Sequence, residues 1–380
     1  MDLTELRSEI DRIDDQMVRL FAQRMQISGE IADYKQKNQM PIFVPAREKE
    51  KLQDVAKKAG PELAEYTRVL YSMLFELSRS FQGTRSRTDS PLHRQIADAI
   101  GDTPDLFPRS PSVACQGVEG SVGQIACEKM AKNPFILYFR NYEGVFSAIE
   151  QDLCQYGVLP IENAAVGSVK KVYDLLIEHG FSIVRTVRMK VDHNLLVHPG
   201  TRLDQIREIY SHERAIAQCS GFLRTLPNVR VIAVENTAAA AKLVADSGRT
   251  DVAALSSRIC ADLYHLEVAA SAVQDPGSNQ TRFVCISKHL EIYPGSDKTS
   301  IMMVLPDRPG SLYKVLARLY LLGINVTKVE TRPIPDRDLE FMVYFDLDTS
   351  IYSEEYVRLM CELDDLCEEF RYLGSYREVV

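Results

Sequence analysis

Apolar residues fall at Leu6, Ile10, Ile13, Met17, Leu20, Ile27, Ile31 and Tyr34, and Arg24 fills the one remaining place in the series. The gaps alternate four and three, the repeat of a coiled-coil seam, and predict one helix from the N-terminus to about residue 38. Asp2 and Glu5 fit a capping box at its start. At 1.5 Å per residue such a helix is ~50 Å long, more than a small domain's width, so the seam needs a second copy of itself. Pro41 and Pro45 break the pattern. A second helix is expected from near Arg47, and a third with Leu63, Leu70, Leu74, Leu77 and Phe81 on one face. Residues 1–82 therefore read as all helical.

Residues 83–111 change grammar. They are polar, rich in proline and long enough for one short helix over 91–100, which marks a linker. From 112 to 288 a different pattern repeats: apolar strand, small polar cluster, helix. "SVACQG", "YGVLPIEN", "IREIYSH", "VRVIAVENT" and "DVAALSS" are its strands. That alternation predicts a mainly parallel sheet covered on both sides, with ligands beyond the carboxyl ends of the strands. Glu162-Asn163, Ser211-His212, Asn236-Thr237 and Ser256-Ser257 fall at those ends. Residues 297–380 read strand, helix, strand, strand, helix, strand, the split pattern of a ferredoxin-like module. The chain is thus expected to be multidomain: a helical bundle, an α/β unit of two lobes and a ferredoxin-like α+β unit.

Composition narrows the class. The 380 residues are 45% hydrophobic and 26% charged, normal for a soluble globular protein. The acidic amphipathic start is no signal peptide, and no apolar stretch approaches the ~18 residues of a membrane span. A net charge of -8 without a basic stripe argues against nucleic acid as a partner. The eight cysteines form no C-x-x-C pair, and most sit inside apolar runs. They read as reduced thiols of a cytoplasmic protein. The seven histidines show no metal-ligand spacing, so no metal is expected. The Asn279-Gln280-Thr281 triplet, formally a glycosylation acceptor, thereby loses its compartment.

Several polar residues sit where apolar ones belong. Arg24 occupies the seam, as a register-setting charge or as part of an anion site. Lys35 lies three turns on, near the same face. Arg47 and Glu48 follow the proline break, and Ser78 and Gln82 share a face of the third helix. Glu162, Asn163, Ser211 and Gln218 suit either helix capping or a binding crevice. Thr281-Arg282 puts a hydroxyl and a guanidinium at the mouth of the apolar strand "RFVCIS". Their convergence on one sheet edge favours a crevice.

In order, these motifs resemble the bifunctional chorismate mutase–prephenate dehydratases. Residues 1–82 look like the helical mutase of that family, an intertwined dimer in which Arg7 of one protomer would enter the other's site. The resemblance assigns Arg7, Arg24 and Arg47 to the carboxylates of chorismate and Lys35 with Gln82 to its ether oxygen, beside Glu48 and Ser78. "LPIEN", "YSH", "QC", "ENTAAAA" and "NQTRF" resemble prephenate dehydratase. They imply Glu162, Asn163, Ser211, Gln218, Thr281 and Arg282 as site residues, with Thr281 the donor to the departing hydroxyl. "RPGSL" and "ETRPIP" resemble the two ligand loops of an ACT domain. Gly310, Ser311, Leu312, Glu330, Thr331, Arg332 and Pro333 would then hold phenylalanine across a dimer interface.

The resemblance implies no cofactor, and chorismate, prephenate and effector phenylalanine as ligands of a homodimer or larger homo-oligomer. Val44, Val122 and Ala164 stand where the family usually has Asp, an aromatic and Ser or Thr; Thr331 replaces a Ser. A phenylalanine sensor with weakened catalysis, or an enzyme with one of the two activities, is the alternative reading.

Overall fold

The computed structural model describes residues 2–38, 40, 44–86 (side chains to 82), 91–164, 167–226, 228–276, 279–334, 341–353, 356, 359–360, 363 and 367–379. Pro41, Cys361 and residues 87–90 of the expected linker lie outside them.

The first helix runs Leu3–Lys37, and Asp2 and Glu5 form the expected capping box. The second helical run, Pro45–Ser86, is kinked at Gly60, whose φ of 77° ends one helix before Pro61 opens the next. The two runs pack on each other, through the later half of the first, and the second has buried residues on both sides of its kink. Ser28, Gly29 and Ala32 are buried on the first, and Val55, Ala56, Ser78 and Gln82 on the second. The seam is not covered by this packing: Leu6, Ile10, Ile13, Met17, Leu20, Ile27, Ile31 and Tyr34 are 43–64% exposed.

The helix Pro91–Asp102 belongs to the globular part, not to a free linker. Ile96 and Ala99 are buried in one cluster with Ile301, Val315, Leu319 and Phe345 of the C-terminal unit. Among the described residues, one sheet of ten strands runs through both globular units. Its spatial order is Asn325–Pro333, Phe341–Asp348, Lys298–Val304, Glu369–Val379, Ser182–Lys190, Gln280–Ser287, Tyr156–Asn163, Ser112–Gln116 and Phe135–Phe139, with Gly167–Ser168 beside Tyr156–Asn163. The junction is parallel: Arg377, Glu378 and Val379 pair with Arg185, Thr186 and Val187. Met302, Val304, Tyr344, Leu373 and Tyr376 share a buried cluster with Leu159, Ile161, Tyr173 and Ile183. The third unit thus shares both a sheet and a core with the second.

A second sheet forms the other lobe, in the order Glu267–Ala270, Asn194–Val197, Val252–Ser256, Glu208–Ser211 and Arg230–Ala233. Neither sheet is mainly parallel. Ser112–Gln116 is parallel to both its neighbours, whereas Gln280–Ser287 is antiparallel to Tyr156–Asn163 and to Ser182–Lys190. The departure has a functional consequence. Because Gln280–Ser287 runs backwards, its first residues lie beside the last residues of Tyr156–Asn163, and Thr281 is registered opposite Asn163. Residues 191–193, and residues 271–276 with Asn279, lie between the lobes. They are tied together by Val191 N to Asn279 O at 2.8 Å and Val273 N to His193 O at 2.9 Å.

Among the described residues, no helix is long and apolar enough to cross a membrane. Cys115, Cys127, Cys154, Cys219, Cys260 and Cys285 are buried and free.

Candidate active sites

In the helical unit, Arg24 leaves the seam and turns to the second run. Its Nη1 donates to Leu74 O at 3.1 Å and to Ser78 Oγ, and its guanidinium lies 5.8 Å from the Phe75 ring centroid. Burial lowers its pKa, with Tyr71 opposing, but an arginine this far from neutrality keeps its charge. Lys35 is half-buried; burial lowers its pKa and the carboxylate of Glu48 opposes the shift. Glu48 in turn pairs with Arg79. Gln82 is buried, 8% exposed, on the same helical run as Ser78. The structure therefore draws Arg24 to Ser78 and Lys35 towards Glu48. It leaves Arg47 at the surface, paired with Glu50 at 2.8 Å. Arg7 is exposed, seventeen residues before Arg24. At 1.5 Å per residue that is ~25 Å along one helix, so the two cannot serve one site within a single chain.

In the second unit, a strand's alternation divides the expected residues. Thr281 and Asn163 are a cross-strand pair, and so are Arg282 and Glu162, but successive residues face opposite sides of a sheet. On the side between the lobes, Asn163 Nδ2 donates to Thr281 Oγ1 at 2.8 Å and to Asn279 Oδ1 at 3.1 Å. Asn279 Nδ2 donates to Gln218 Oε1 at 3.1 Å, and His193 Nε2 lies 2.8 Å from that same oxygen. Asn163, Thr281 and Gln218 are brought together as expected, joined by Asn279 and His193. Both additions were missed. Asn279 was visible only as a glycosylation triplet, and His193 only as a histidine without metal spacing. Asn279 is 6% exposed with its amide committed to Val191 O and Gln218, so it is an internal group and no sugar acceptor.

Glu162 and Arg282 lie on the other side of the sheet. Arg282 is buried against Asp346 of the third unit, and its Nη2 donates to Tyr376 OH at 2.8 Å. Glu162 meets Lys328 Nζ at 3.2 Å. Neither belongs to the cleft group. Ser211 is fully buried and donates to Leu255 O at 2.7 Å, which ties two strands of the second lobe. Ala164 is exposed in the turn after Asn163.

In the third unit, Gly310 takes φ 88° directly before the helix Ser311–Leu321, and Leu312 is exposed. The strand Asn325–Pro333 alternates strictly. Lys328, Glu330 and Arg332 are half-buried; Thr331 and Pro333 face outward. Glu330 accepts from Ser168 Oγ at 2.7 Å, and Arg332 makes a bidentate pair with Asp174 at 2.9 and 3.0 Å. Those two side chains are engaged with the second unit.

Three family models match in chain order: chorismate mutase type II over residues 6–83, prephenate dehydratase over 113–291 and ACT domain over 299–352. A bifunctional chorismate mutase/prephenate dehydratase of Aquifex aeolicus is 31% identical, with 99% of this chain and 98% of that protein covered. The chain belongs to this bifunctional family. The Escherichia coli K12 protein of the same description is 29% identical, over 98% of this chain and 96% of that one. Among solved structures, a prephenate dehydratase from Arthrobacter aurescens in complex with L-Phe has a TM-score of 0.63 and 25% identity, over 70% of this chain and 89% of that one. The chain is thus an enzyme of phenylalanine biosynthesis with chorismate mutase and prephenate dehydratase domains, followed by an ACT domain.

Proposed function

We propose that the cleft between the lobes dehydrates prephenate with Thr281 as the donor to the departing hydroxyl. The carrying observation is the direction of one hydrogen bond: Asn163 donates to Thr281 Oγ1, which leaves the threonine's own hydrogen for a ligand. Loss of carbon dioxide and hydroxide aromatises the ring, so the protein need only orient prephenate and assist the leaving group. A threonine hydroxyl is too weak an acid to do more than donate a hydrogen bond or relay a proton.

In the helical unit, the rearrangement of chorismate requires neither a nucleophile nor a general acid. It requires a dianion held compactly and charge stabilised at the breaking ether bond. Arg24 with Ser78, and Lys35 with Gln82, supply those donors. The uncovered seam and the distance of Arg7 from Arg24 support a dimer in which Arg7 completes the partner's site.

The ACT domain binds phenylalanine, and binding lowers dehydratase activity. The support is mechanical. The strand that carries Glu330-Thr331-Arg332 also sends Lys328 to Glu162, the residue before Asn163. Phenylalanine must then bind a low-activity arrangement more tightly than the active one. Turnover of chorismate and of prephenate on one purified sample, with calorimetry for phenylalanine, tests all three parts. Failure to turn over prephenate defeats the cleft reading. Absence of phenylalanine binding at millimolar concentration defeats the regulatory one.

A further inference from the structure

His193 lies in the segment that joins the lobes, 6% exposed, between the strands Ser182–Lys190 and Asn194–Val197. Nothing in the reaction calls for it, yet it ends the chain of side chains that leads to Thr281. The direction of that chain follows from one backbone carbonyl. Asn279 Nδ2 lies 2.9 Å from Val191 O, and a carbonyl oxygen only accepts, so the Asn279 amide nitrogen must point there. Its second hydrogen then goes to Gln218 Oε1, which fixes Gln218 with its oxygen inward. That oxygen faces His193 Nε2 at 2.8 Å, so Nε2 must carry hydrogen. In the other direction, Asn279 Oδ1 accepts from Asn163 Nδ2, which turns the second Asn163 hydrogen to Thr281 Oγ1.

We infer that His193, as the tautomer protonated at Nε2, is a positioning residue of the dehydratase: it holds Gln218 in the orientation that matches Asn279, itself set by Val191 O, and so steadies the amides that leave the Thr281 hydroxyl hydrogen for the substrate. Were the histidine protonated only at Nδ1, Nε2 would face Gln218 Oε1 as a second acceptor. Gln218 would then have to turn over, which puts its oxygen against Asn279 Oδ1 and its NH2 against Asn279 Nδ2, two mismatched contacts that work against the Asn279 position on which Asn163 depends. His193 is also joined by its backbone to both lobe connections, through Val273 N to its carbonyl at 2.9 Å and its own N–H to Gln274 Oε1 at 3.0 Å. Gln218 belongs to one lobe and Asn163 and Thr281 to the other, so the chain closes across the cleft. Burial lowers the pKa of His193, with Gln218 and Asp192 opposing, in keeping with a neutral ring.

The inference rests on the dehydratase reading of the cleft, and the tests separate the two. His193→Ala is expected to lower kcat for prephenate by ~10- to 100-fold, the scale of a misplaced catalytic group, with a smaller change in KM. His193→Gln offers an amide N–H near the place of Nε2 and is expected to recover most of that loss. Mutase activity and melting temperature report folding in each variant. A His193→Ala enzyme as fast as wild type overturns the inference, and so does a His193→Gln enzyme as slow as His193→Ala. The second readout needs no turnover: long-range nitrogen–proton NMR of histidine-labelled protein should show His193 protonated at Nε2. An Nδ1-only tautomer overturns the inference even if prephenate proves not to be a substrate, whereas wild type without dehydratase activity defeats the cleft reading itself.

Discussion

Thr281 and Arg282 are consecutive in one strand and serve opposite sides of the sheet: the Thr281 hydroxyl accepts from Asn163 within the cleft, and the Arg282 guanidinium is buried against Asp346 of the ACT domain. A single backbone step thus separates the proposed donor from the domain contact. The same holds in the facing strand, where Asn163 looks into the cleft and Glu162 meets Lys328. Replacing Thr281 with Ala should therefore remove a donor without disturbing the domain contact. A loss of ~10²-fold or more in kcat for prephenate is expected, the scale of one preorganised donor, with mutase activity unchanged. Equal loss of both activities in stopped assays would show a folding defect instead.

Arg24→Ala should act in the reverse sense. The variant loses the cation nearest Ser78, in a site where charge stabilisation is the proposed means of catalysis. Chorismate turnover is expected to fall by at least ~10²-fold, while added prephenate is consumed at the wild-type rate. Arg24→Lys keeps the charge but not the forked donor, and should recover only part of the loss.

Much of this was legible in the sequence, and the failures have a common cause. The alternating gaps of Leu6 to Tyr34 disclosed the first helix and its apolar face, because a helix face repeats locally. Thr281 stood out because an arginine interrupted an apolar strand. Arg282 and Glu162 were then grouped with their neighbours, although a period of two sends neighbours apart. That separation shows only once both faces have occupants, and here the occupants of one face are Asp346, 64 residues from Arg282, and Lys328, 166 residues from Glu162. His193 and Asn279 carry no local pattern at all; what they do depends on residues 191–193 meeting Val273, Gln274 and Asn279. The shared core was hidden for the same reason, since an apolar strand reads alike whether it completes its own sheet or a neighbour's.

That shared core predicts what truncation does. Ending the chain at residue 296 removes Met302, Val304, Tyr344, Leu373 and Tyr376 from the cluster around Leu159, Ile161 and Ile183. At ~1.5–3 kcal/mol for each large buried side chain, the loss rivals the ~5–15 kcal/mol that stabilises a typical domain. The fragment 1–296 is expected to aggregate or to bind a hydrophobic dye. A soluble, cooperatively melting fragment with full dehydratase activity would contradict the shared core.

Regulation is better probed by one side chain. Lys328 Nζ bridges Glu162 at 3.2 Å and Ser168 Oγ at 2.9 Å, and it lies outside both active sites. Lys328→Met should leave the dehydratase rate without effector within a few-fold of wild type. The phenylalanine concentration for half-inhibition should rise ~5-fold or more, within the usual ~1–3 kcal/mol of allosteric coupling. Unchanged inhibition would place the coupling elsewhere along the shared sheet.

The last prediction concerns the mutase. Glu76 on the second helical run is 3% exposed, pairs with Arg79, and faces Arg318 at 3.6 Å and Lys314 at 3.9 Å on the ACT helix Ser311–Leu321. Arg79 also holds Glu48, whose charge acts on Lys35. One buried carboxylate therefore stands between the helix that follows Gly310 and a residue proposed to meet chorismate. Breaking a buried pair by removing one partner costs ~3–5 kcal/mol, because the other charge stays behind without its counterpart. Glu76→Gln should thus lower the melting temperature, and it should loosen Arg79 and with it Glu48. If the ACT helix shifts when phenylalanine binds, mutase turnover in the wild type should change with phenylalanine. In Glu76→Gln that change should disappear while the dehydratase remains inhibited. Parallel titrations of both activities decide the matter: a mutase response to phenylalanine that survives the substitution would rule out this route.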